Sequence, residues 1–330
     1  MLRFFLLASM VPLAASAASL SHGWLIVANK GDQTVGIIDP DKGEEVATVP
    51  EGGITAHEVI ASPDGRFVYA PIYGNSGVGK PGTDGTKMVV VDVAERKVVG
   101  RLDFGHGVRP HCPLIGPENG LLYVTTELDQ TVSVIDPKTL KIVAAVPTGQ
   151  KESHMLAITR DGRRGYTANV GAGTVSVLDF QARKTLAVIP ISGETQRISL
   201  AADDSMAFTS DQTKPRLAVI DTAANKVKSW VPLPAPGYGT AATKDGRWLL
   251  VAVPKANKVA VVDLKAMKVA ATVDVPRAPQ EVLIRPDQRI AYVSCSNSRQ
   301  VAAIGIGSWK TEKLIAAGRG VDGLAWAVRQ

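Results

Sequence analysis

An apolar strand that ends in aspartate recurs about every 42 residues along the chain, for example TVSVID at residues 131–136. Successive copies end 53, 44, 43, 42, 42 and 42 residues apart. The aligned end positions are Asp39, Asp92, Asp136, Asp179, Asp221, Asp263 and, in the last copy, Gly305. Seven copies of one unit predict a repeat protein. Their regular recurrence assigns the aspartates to turns, where they accept hydrogen bonds from backbone amides, and not to catalysis.

Each unit also contains a hairpin signature. At residues 59–69, VIASPDGRFVY, an Asp-Gly pair separates two apolar strands, and such a pair supplies the positive φ of a tight turn. Related turns occur at residues 117–120, 160–162, 244–246 and 286–288. A unit of this length holds four short strands, which is the content of one propeller blade. The sequence therefore predicts an all-β fold, a seven-bladed β-propeller with four-stranded antiparallel blades.

The two ends of the chain supply the strands of one mixed blade. The repeats begin within a unit, at residues 24–50, and residues 321–328 match an innermost strand without partners. Joining both ends in one sheet covers strand edges that would otherwise be open. We expect the ring to close through this mixed N- and C-terminal blade.

The first residues are typical of an export signal. MLR precedes an apolar run over residues 4–15, and ASA at residues 15–17 offers a cleavage site. The run is too short to anchor the chain in a bilayer. We predict a signal peptide at residues 1–17, a single propeller domain at residues 18–330 without a membrane span, and a periplasmic or secreted location.

The charge of the chain speaks against nucleic acid as a partner. Lys and Arg total 37 against 31 Asp and Glu, and this modest excess is spread along the sequence without a basic block interleaved with aromatic residues. We expect a small-molecule ligand or a periplasmic partner protein instead, and a monomer as the oligomeric state.

The chain has two cysteines, Cys112 and Cys295. They fall in units on opposite sides of the predicted ring, too far apart for a disulfide, so we expect two free thiols. The chain has no Cys-Xaa-Xaa-Cys-His motif, and on this ground we expect no c-type haem. It also has no dinucleotide fingerprint or P-loop, so we expect no nucleotide cofactor.

One repeat position concentrates histidine at a single end of the predicted channel. The position opens each innermost strand, and its members are His57, His111, His154, Gln196, Tyr238, Gln280 and Asp322. Three of the five histidines of the chain fall in this column, in consecutive units. Neutral imidazoles from three strands can hold Zn, Cu, Fe or Mn, so the column predicts a metal site at His57, His111 and His154. A solvated polar ring without metal is the alternative.

Charged residues beside this column extend the candidate site. Glu58 and Glu281 follow column members directly and are candidate catalytic bases. The predicted ligand-binding residues are Arg109, Gln196, Arg197, Tyr238, Gln280, Asp322 and Lys80.

The only large insertion in the repeat lies at residues 73–86, YGNSGVGKPGTDGT, and contains Lys80. Strand order places it on the same face as the histidine column, where it could cover the site as a lid. An exposed loop without a role is the alternative.

Three segments, FVYA at 67–70, LYVTT at 122–126 and AYVS at 291–294, resemble the Tyr-Val-Thr-Asn (YVTN) repeat of a bacterial propeller family, also called YncE-like. The resemblance covers the chain after its signal peptide and implies the propeller fold. It leaves the function open, because such propellers include binding proteins, surface-layer proteins, lactonases, lyases and the haem-binding propeller of nitrite reductase.

Two hypotheses of function follow. In the first, a metal on the three histidines polarises a small carbonyl or ester substrate for hydrolysis or elimination, with Glu58 or Glu281 as base. In the second, the propeller is a non-catalytic platform that binds a small molecule or a partner protein at the same end of the channel.

Overall fold

The structure is a computed structural model that describes residues 21–75 and 77–329. The predicted signal peptide lies outside these residues. In the part of the chain that is described, no helix has the length and apolar character needed to cross a membrane.

Seven four-stranded antiparallel sheets form the molecule, which confirms the predicted seven-bladed β-propeller. The strands are β1 (Gly23–Asn29), β2 (Thr34–Asp39), β3 (Glu44–Pro50), β4 (Ile60–Ala61), β5 (Phe67–Gly74), β6 (Asp84–Asp92), β7 (Lys97–Asp103), β8 (Pro110–Ile115), β9 (Leu122–Thr126), β10 (Thr131–Asp136), β11 (Lys141–Pro147), β12 (Ser153–Ile158), β13 (Arg164–Asn169), β14 (Thr174–Asp179), β15 (Lys184–Pro190), β16 (Thr195–Leu200), β17 (Met206–Asp211), β18 (Arg216–Asp221), β19 (Lys226–Pro232), β20 (Thr240–Ala242), β21 (Trp248–Val253), β22 (Lys258–Asp263), β23 (Lys268–Asp274), β24 (Pro279–Ile284), β25 (Ile290–Cys295), β26 (Gln300–Gly305), β27 (Thr311–Ala316) and β28 (Val321–Val328). A single turn of 3-10 helix, Pro254–Ala256, follows β21.

The closing blade combines both ends of the chain, as predicted. Its sheet has the order β28-β1-β2-β3, and every other blade is made of four consecutive strands. In the antiparallel pair of β28 with β1, Ala325 lies opposite Ile26 and Ala327 opposite Trp24. The first strands of neighbouring blades contact one another around the ring, so β4, β8, β12, β16, β20, β24 and β28 surround the central channel.

The burial of each strand follows its place in the blade. The second strands, such as β9, are buried on both faces because neighbouring blades cover them. Outermost strands such as β15 alternate between exposed and partly buried residues, because one face of the blade edge meets solvent. The apolar core is therefore a series of clusters between adjacent blades, such as the one that joins Ile26 and Ile37 of the closing blade to Val68 and Val89 of the next.

The recurrent aspartates serve turns, as predicted. Asp92 Oδ1 accepts hydrogen bonds from the backbone amides of Ala94 and Glu95, at 3.0 and 2.9 Å. Asp221 and Asp263 accept the same pair of hydrogen bonds, from the amides of the second and third residues after each aspartate. These amides lower the pKa of Asp92 and Asp221, in each case chiefly through the bond to the third residue on.

The contact between β28 and the next blade can be tested with a matched pair of glycines. Gly65 and Gly246 occupy the same Asp-Gly-Arg turn, at φ +71° and +69°. A Cβ on Gly65 would lie 2.0 Å from the Val328 carbonyl oxygen, whereas a Cβ on Gly246 would meet nothing within 4 Å. We expect Gly246→Ala to lower the free energy of unfolding by about 1–2 kcal/mol, the cost of the left-handed conformation. Gly65→Ala should lower it by about 1–3 kcal/mol more, from overpacking.

Urea unfolding of both variants beside the wild type measures the difference. Equal losses in the two variants would mean that the Gly65 turn does not rest against β28.

Candidate functional site

The structure places the histidine column at one end of the channel, which is called the mouth below. Most members are the second residue of an innermost strand, and His57 and Tyr238 lie shortly before β4 and β20. The members are His57, His111, His154, Gln196, Tyr238, Gln280 and Asp322. His111, His154 and Asp322 are buried, at 2, 3 and 4% relative exposure, whereas His57, Tyr238 and Gln280 are partly exposed.

Four aromatic rings, those of His57, Tyr73, His111 and His154, pack together on one side of the mouth. The rings of His111 and His154 are stacked, with centroids 3.5 Å apart and planes 29° apart. Tyr73 packs edge-on against both, at 5.2 and 5.6 Å, and lies 4.6 Å from the ring of His57. Tyr73 is fully buried. In the sequence, Tyr73 was identified only as the first residue of the insertion, and its contact with the three histidines was not predicted.

The described structure does not arrange the three histidines as a metal site. An imidazole binds a metal through a lone pair in the plane of its ring. The in-plane lone pairs of His111 and His154 lie in two stacked planes, with ring centroids 3.5 Å apart and planes inclined by 29°. Among residues 21–75 and 77–329, no group of three or more His, Cys, Asp or Glu side chains has an arrangement that could hold a metal ion.

A buried carboxylate, Glu127, organises these rings, and sequence reasoning missed it. Its Oε2 accepts a hydrogen bond from the Tyr73 hydroxyl at 2.8 Å and lies 3.1 Å from His154 Nδ1. Its Oε1 lies 3.6 Å from Arg109 Nη1. The repeat could have indicated Glu127. KGDQTV at residues 30–35 aligns with ELDQTV at residues 127–132, so Lys30 and Glu127 occupy equivalent positions in their blades.

Burial lowers the pKa of two of the mouth imidazoles, His57 and His111. Burial, with a smaller contribution from the nearby Lys30, lowers the pKa of His57 to about 3. Burial also holds the pKa of His111 well below its ordinary value, and the neighbouring His154 and His57 add to this effect. His111 Nδ1 is buried and has no hydrogen-bond partner among the described residues.

One residue further along the channel, a charged cluster surrounds Arg197. Arg197 Nη2 lies 2.6 Å from Glu58 Oε1 and 3.2 Å from Asp322 Oδ1. Arg197 Nη1 lies 3.6 Å from Glu281 Oε2, and Lys30 Nζ lies 3.1 Å from Asp322 Oδ2. These pairs bring together the predicted residues Glu58, Arg197, Glu281 and Asp322.

The carboxyl groups of this cluster differ in proton affinity. Burial raises the pKa of Glu58 and of Glu281, and Arg197 opposes the rise in both. Burial acts in the same direction on Asp322, but the nearby Lys30 and Arg197 outweigh it and lower its pKa.

The insertion reaches the loop before β12 and is held by Arg109. Residues 75 and 77–83 of the insertion lie between β5 and β6. Arg109 Nη2 donates to the Lys80 carbonyl oxygen at 2.7 Å, and Arg109 Nε donates to Asp84 Oδ1 at 2.6 Å. A Cβ on Gly79 would lie 2.5 Å from Glu152, which precedes β12, so the insertion reaches past the blade of His111 to the blade of His154. The side chain of Lys80 is exposed, away from the buried rings.

The remaining predicted residues take minor positions. Gln196 Nε2 donates to the Tyr238 hydroxyl at 3.0 Å. Gln280 is partly exposed, and its Nε2 lies 3.5 Å from the Ala278 carbonyl oxygen. Cys112 and Cys295 are free and buried, as expected, and burial raises the pKa of both thiols.

Comparison with known proteins identifies the fold. No protein-family model matches the chain, and no curated protein matches it. Among solved structures, it is similar to hydrazine synthase of Kuenenia stuttgartiensis, with a TM-score of 0.74 and 18% identity over 87% of this chain and 94% of that one. It is also similar to the dihydro-heme d1 dehydrogenase NirN in complex with DHE, with a TM-score of 0.66 and 16% identity over 96% of this chain and 77% of that one. Likeness at this level of identity concerns the propeller fold alone.

The comparison corrects the cofactor expectation. We expected no c-type haem because the Cys-Xaa-Xaa-Cys-His motif is absent, but this motif reports only on covalent attachment. NirN, a propeller of similar fold, is by its name a dehydrogenase of dihydro-heme d1. The cofactor expectation is therefore corrected: the missing motif does not exclude haem, and the divalent metal ion expected on the three histidines is not retained.

The partly exposed His57 predicts a pH dependence of stability. Because its pKa is about 3 in the fold and near 6.5 in the unfolded chain, the unfolded state binds the extra proton between these values. Its contribution is present above pH 6.5 and is lost as the pH falls, by about 1.4 kcal/mol per pH unit. We expect His57→Gln to weaken this loss between pH 7.5 and pH 5.

The measurement is urea unfolding at several pH values, with the exposed His22→Gln as control. The same pH dependence in His57→Gln and in the wild type would contradict a neutral His57.

Proposed function

We propose that this protein binds a haem-type macrocycle without covalent attachment, at the mouth of its channel. The observation that carries the proposal is the arrangement of His154, whose Nδ1 faces Glu127, beside His111, whose buried Nδ1 has no hydrogen-bond partner among the described residues. The hypothesis of hydrolysis depended on a metal ion bound by three histidines. The stacking of His111 on His154 favours a binding role without hydrolysis.

The chemistry of the mouth fits such a ligand. An imidazole is one of the side chains that hold haem iron, and His154 would do so through Nε2, with the Glu127 carboxylate at its Nδ1 orienting the ring. His57, which is partly exposed, adds aromatic surface, which suits a flat macrocycle. Lys30 supplies a cation near the rings for its carboxylates. When bound, a haem supplies a redox-active iron.

Access to the rings requires the insertion to move. His111 and His154 are almost completely buried, and Gly79 of the insertion lies against Glu152, two residues before His154. We propose that the insertion is a lid, closed by the two hydrogen bonds of Arg109 to Lys80 and Asp84.

We also propose that residues 18–330 form one exported domain after cleavage at residue 17. The FVYA, LYVTT and AYVS segments support a place in the YVTN-repeat family of bacterial propellers. A partner protein of the periplasm is compatible with this location and would meet the same face.

Haem binding can be tested by titrating the purified protein, without a histidine tag, with haemin. We expect a shifted Soret band with the wild type and at least about a tenfold higher Kd, or a changed band position, for His154→Ala, because an axial ligand is lost. His22→Ala is the matched control, since His22 is exposed and precedes β1 at the opposite end of the blade.

Two results would contradict the haem proposal. One is a Soret band that does not change on titration of the wild type. The other is a shifted band that is identical in His154→Ala, His111→Ala and His22→Ala, which would place the macrocycle away from the mouth.

The lid can be tested through Arg109. Arg109→Gln removes both hydrogen bonds to the insertion, so we expect faster haemin association by stopped-flow absorbance and faster proteolysis within residues 75–83. Arg247→Gln is the control, because Arg247 lies over Trp248 in a different blade. Unchanged association and proteolysis in Arg109→Gln would show that Arg109 does not hold a lid.

A further inference from the structure

A cavity of about 210 Å³ lies inside the channel, beyond the layer of the mouth. Its walls come from the first strands of all seven blades, at the residues that follow the histidine column. The column residues themselves do not line it. Among its apolar lining residues, Ile60, Leu114 and Leu283 are partly exposed.

The cavity has one polar end and otherwise apolar walls. The polar end consists of Glu58, Arg197 and Glu281. Most other lining residues are apolar: Val59, Ile60, Cys112, Pro113, Leu114, Met155, Leu156, Ile198, Val282, Leu283 and Leu324. Such an arrangement favours a ligand with an apolar body and one polar group.

The polar end holds a donor that the described residues leave without a partner. Arg197 is 4% exposed, and its Nη1 has no hydrogen-bond partner among them. The nearest carboxylate oxygen, Glu281 Oε2, is 3.6 Å away and accepts a hydrogen bond from the Leu324 amide at 2.7 Å. A buried guanidinium N–H without an acceptor is costly, so this atom marks where a ligand acceptor would be stabilised.

The charge of the cluster selects among acceptors. Two cations, Arg197 and Lys30, face three carboxyl groups, Glu58, Glu281 and Asp322. A carboxylate ligand would bring a fourth acid into this buried group, which like charges oppose. An ammonium ligand offers donors and would leave Arg197 Nη1 without an acceptor. An uncharged carbonyl oxygen adds no negative charge and gives Arg197 Nη1 an acceptor.

We propose that this cavity is a second binding site, for a small uncharged molecule with an apolar body and one carbonyl oxygen that accepts a hydrogen bond from Arg197 Nη1. The site is independent of the haem proposal, because none of the mouth imidazoles lines it. The volume corresponds to roughly seven water molecules at ~30 Å³ each, so the ligand is of the size of a small cyclic ketone.

Cyclohexanone is a suitable probe, and ligand-observed NMR on the full-length protein measures its binding. For a molecule of this size we expect a Kd on the order of 1 mM. The infrared carbonyl stretch of the bound ketone should move to lower frequency, because its oxygen accepts a hydrogen bond from a guanidinium. Cyclohexylamine, which is a cation at neutral pH, should bind at least about tenfold more weakly.

Two variants test the assignment without removing the charge of the cluster. Arg197→Lys keeps the positive charge but loses the Nη1 donor, and should weaken cyclohexanone binding about tenfold or more. Leu114→Trp fills the apolar end of the cavity and should abolish binding, whereas Leu128→Trp, at an exposed position outside the cavity, should not change it. Thermal unfolding of each variant shows that it is folded.

The proposal is overturned by any of three results: no binding of cyclohexanone to the folded wild type, tighter binding of cyclohexylamine than of the ketone, or equal ketone affinity in the wild type, Arg197→Lys and Leu114→Trp. A failed haemin titration together with ketone binding would reject the haem proposal and leave this one standing.

Discussion

The pairing of β28 with β1 is the constraint on which the rest of the structure depends. A single blade cannot bury both of its faces, so the stack must close into a ring before each blade has two neighbours. Closure also completes the channel, because β28 brings Asp322 to within 3.2 Å of Arg197. In the same strand, the Gly323 amide donates to the His57 carbonyl oxygen at 2.8 Å and the Leu324 amide donates to Glu281. The same strand, β28, therefore closes the ring by pairing with β1 and completes the charged cluster of the channel with Asp322.

The two layers of the channel solve the problem of burying polar groups in different ways. An imidazole can release its proton, and burial therefore leaves His57 and His111 neutral at little cost. A guanidinium cannot do so, because its pKa is too high. Arg197 is consequently surrounded by carboxyl groups, and that requirement collects Glu58, Glu281 and Asp322 around one side chain. We propose the layer of the histidines for a macrocycle that binds an imidazole, and the layer of Arg197 for a small polar group.

The relation to other propellers illustrates how little the fold says about function. Hydrazine synthase and NirN share the architecture at 18 and 16% identity. At that distance the side chains of the channel differ freely while the blades persist, because blade packing depends on pattern and volume and the site depends on individual atoms. The three histidines are an example. His57, His111 and His154 occupy one level of one channel, yet the rings of His111 and His154 stack and the ring of His57 stands edge-on to that of His111.

The sequence by itself determined the number of blades, the mixed closing blade, the turn role of the recurrent aspartates and the level at which His57, His111 and His154 lie. These features are local signals repeated seven times, and the repeat averages out the ambiguity of any one copy. Only the tertiary structure decided that Tyr73 and Glu127 complete the mouth, and that Arg197 pairs with Asp322, 125 residues further along the chain. It also decided that the cavity lies beyond the mouth. The physical reason is that spacing in a repeat fixes where a backbone stands around the ring, whereas the direction of a side chain and its partner are set by packing across blades that are distant in sequence.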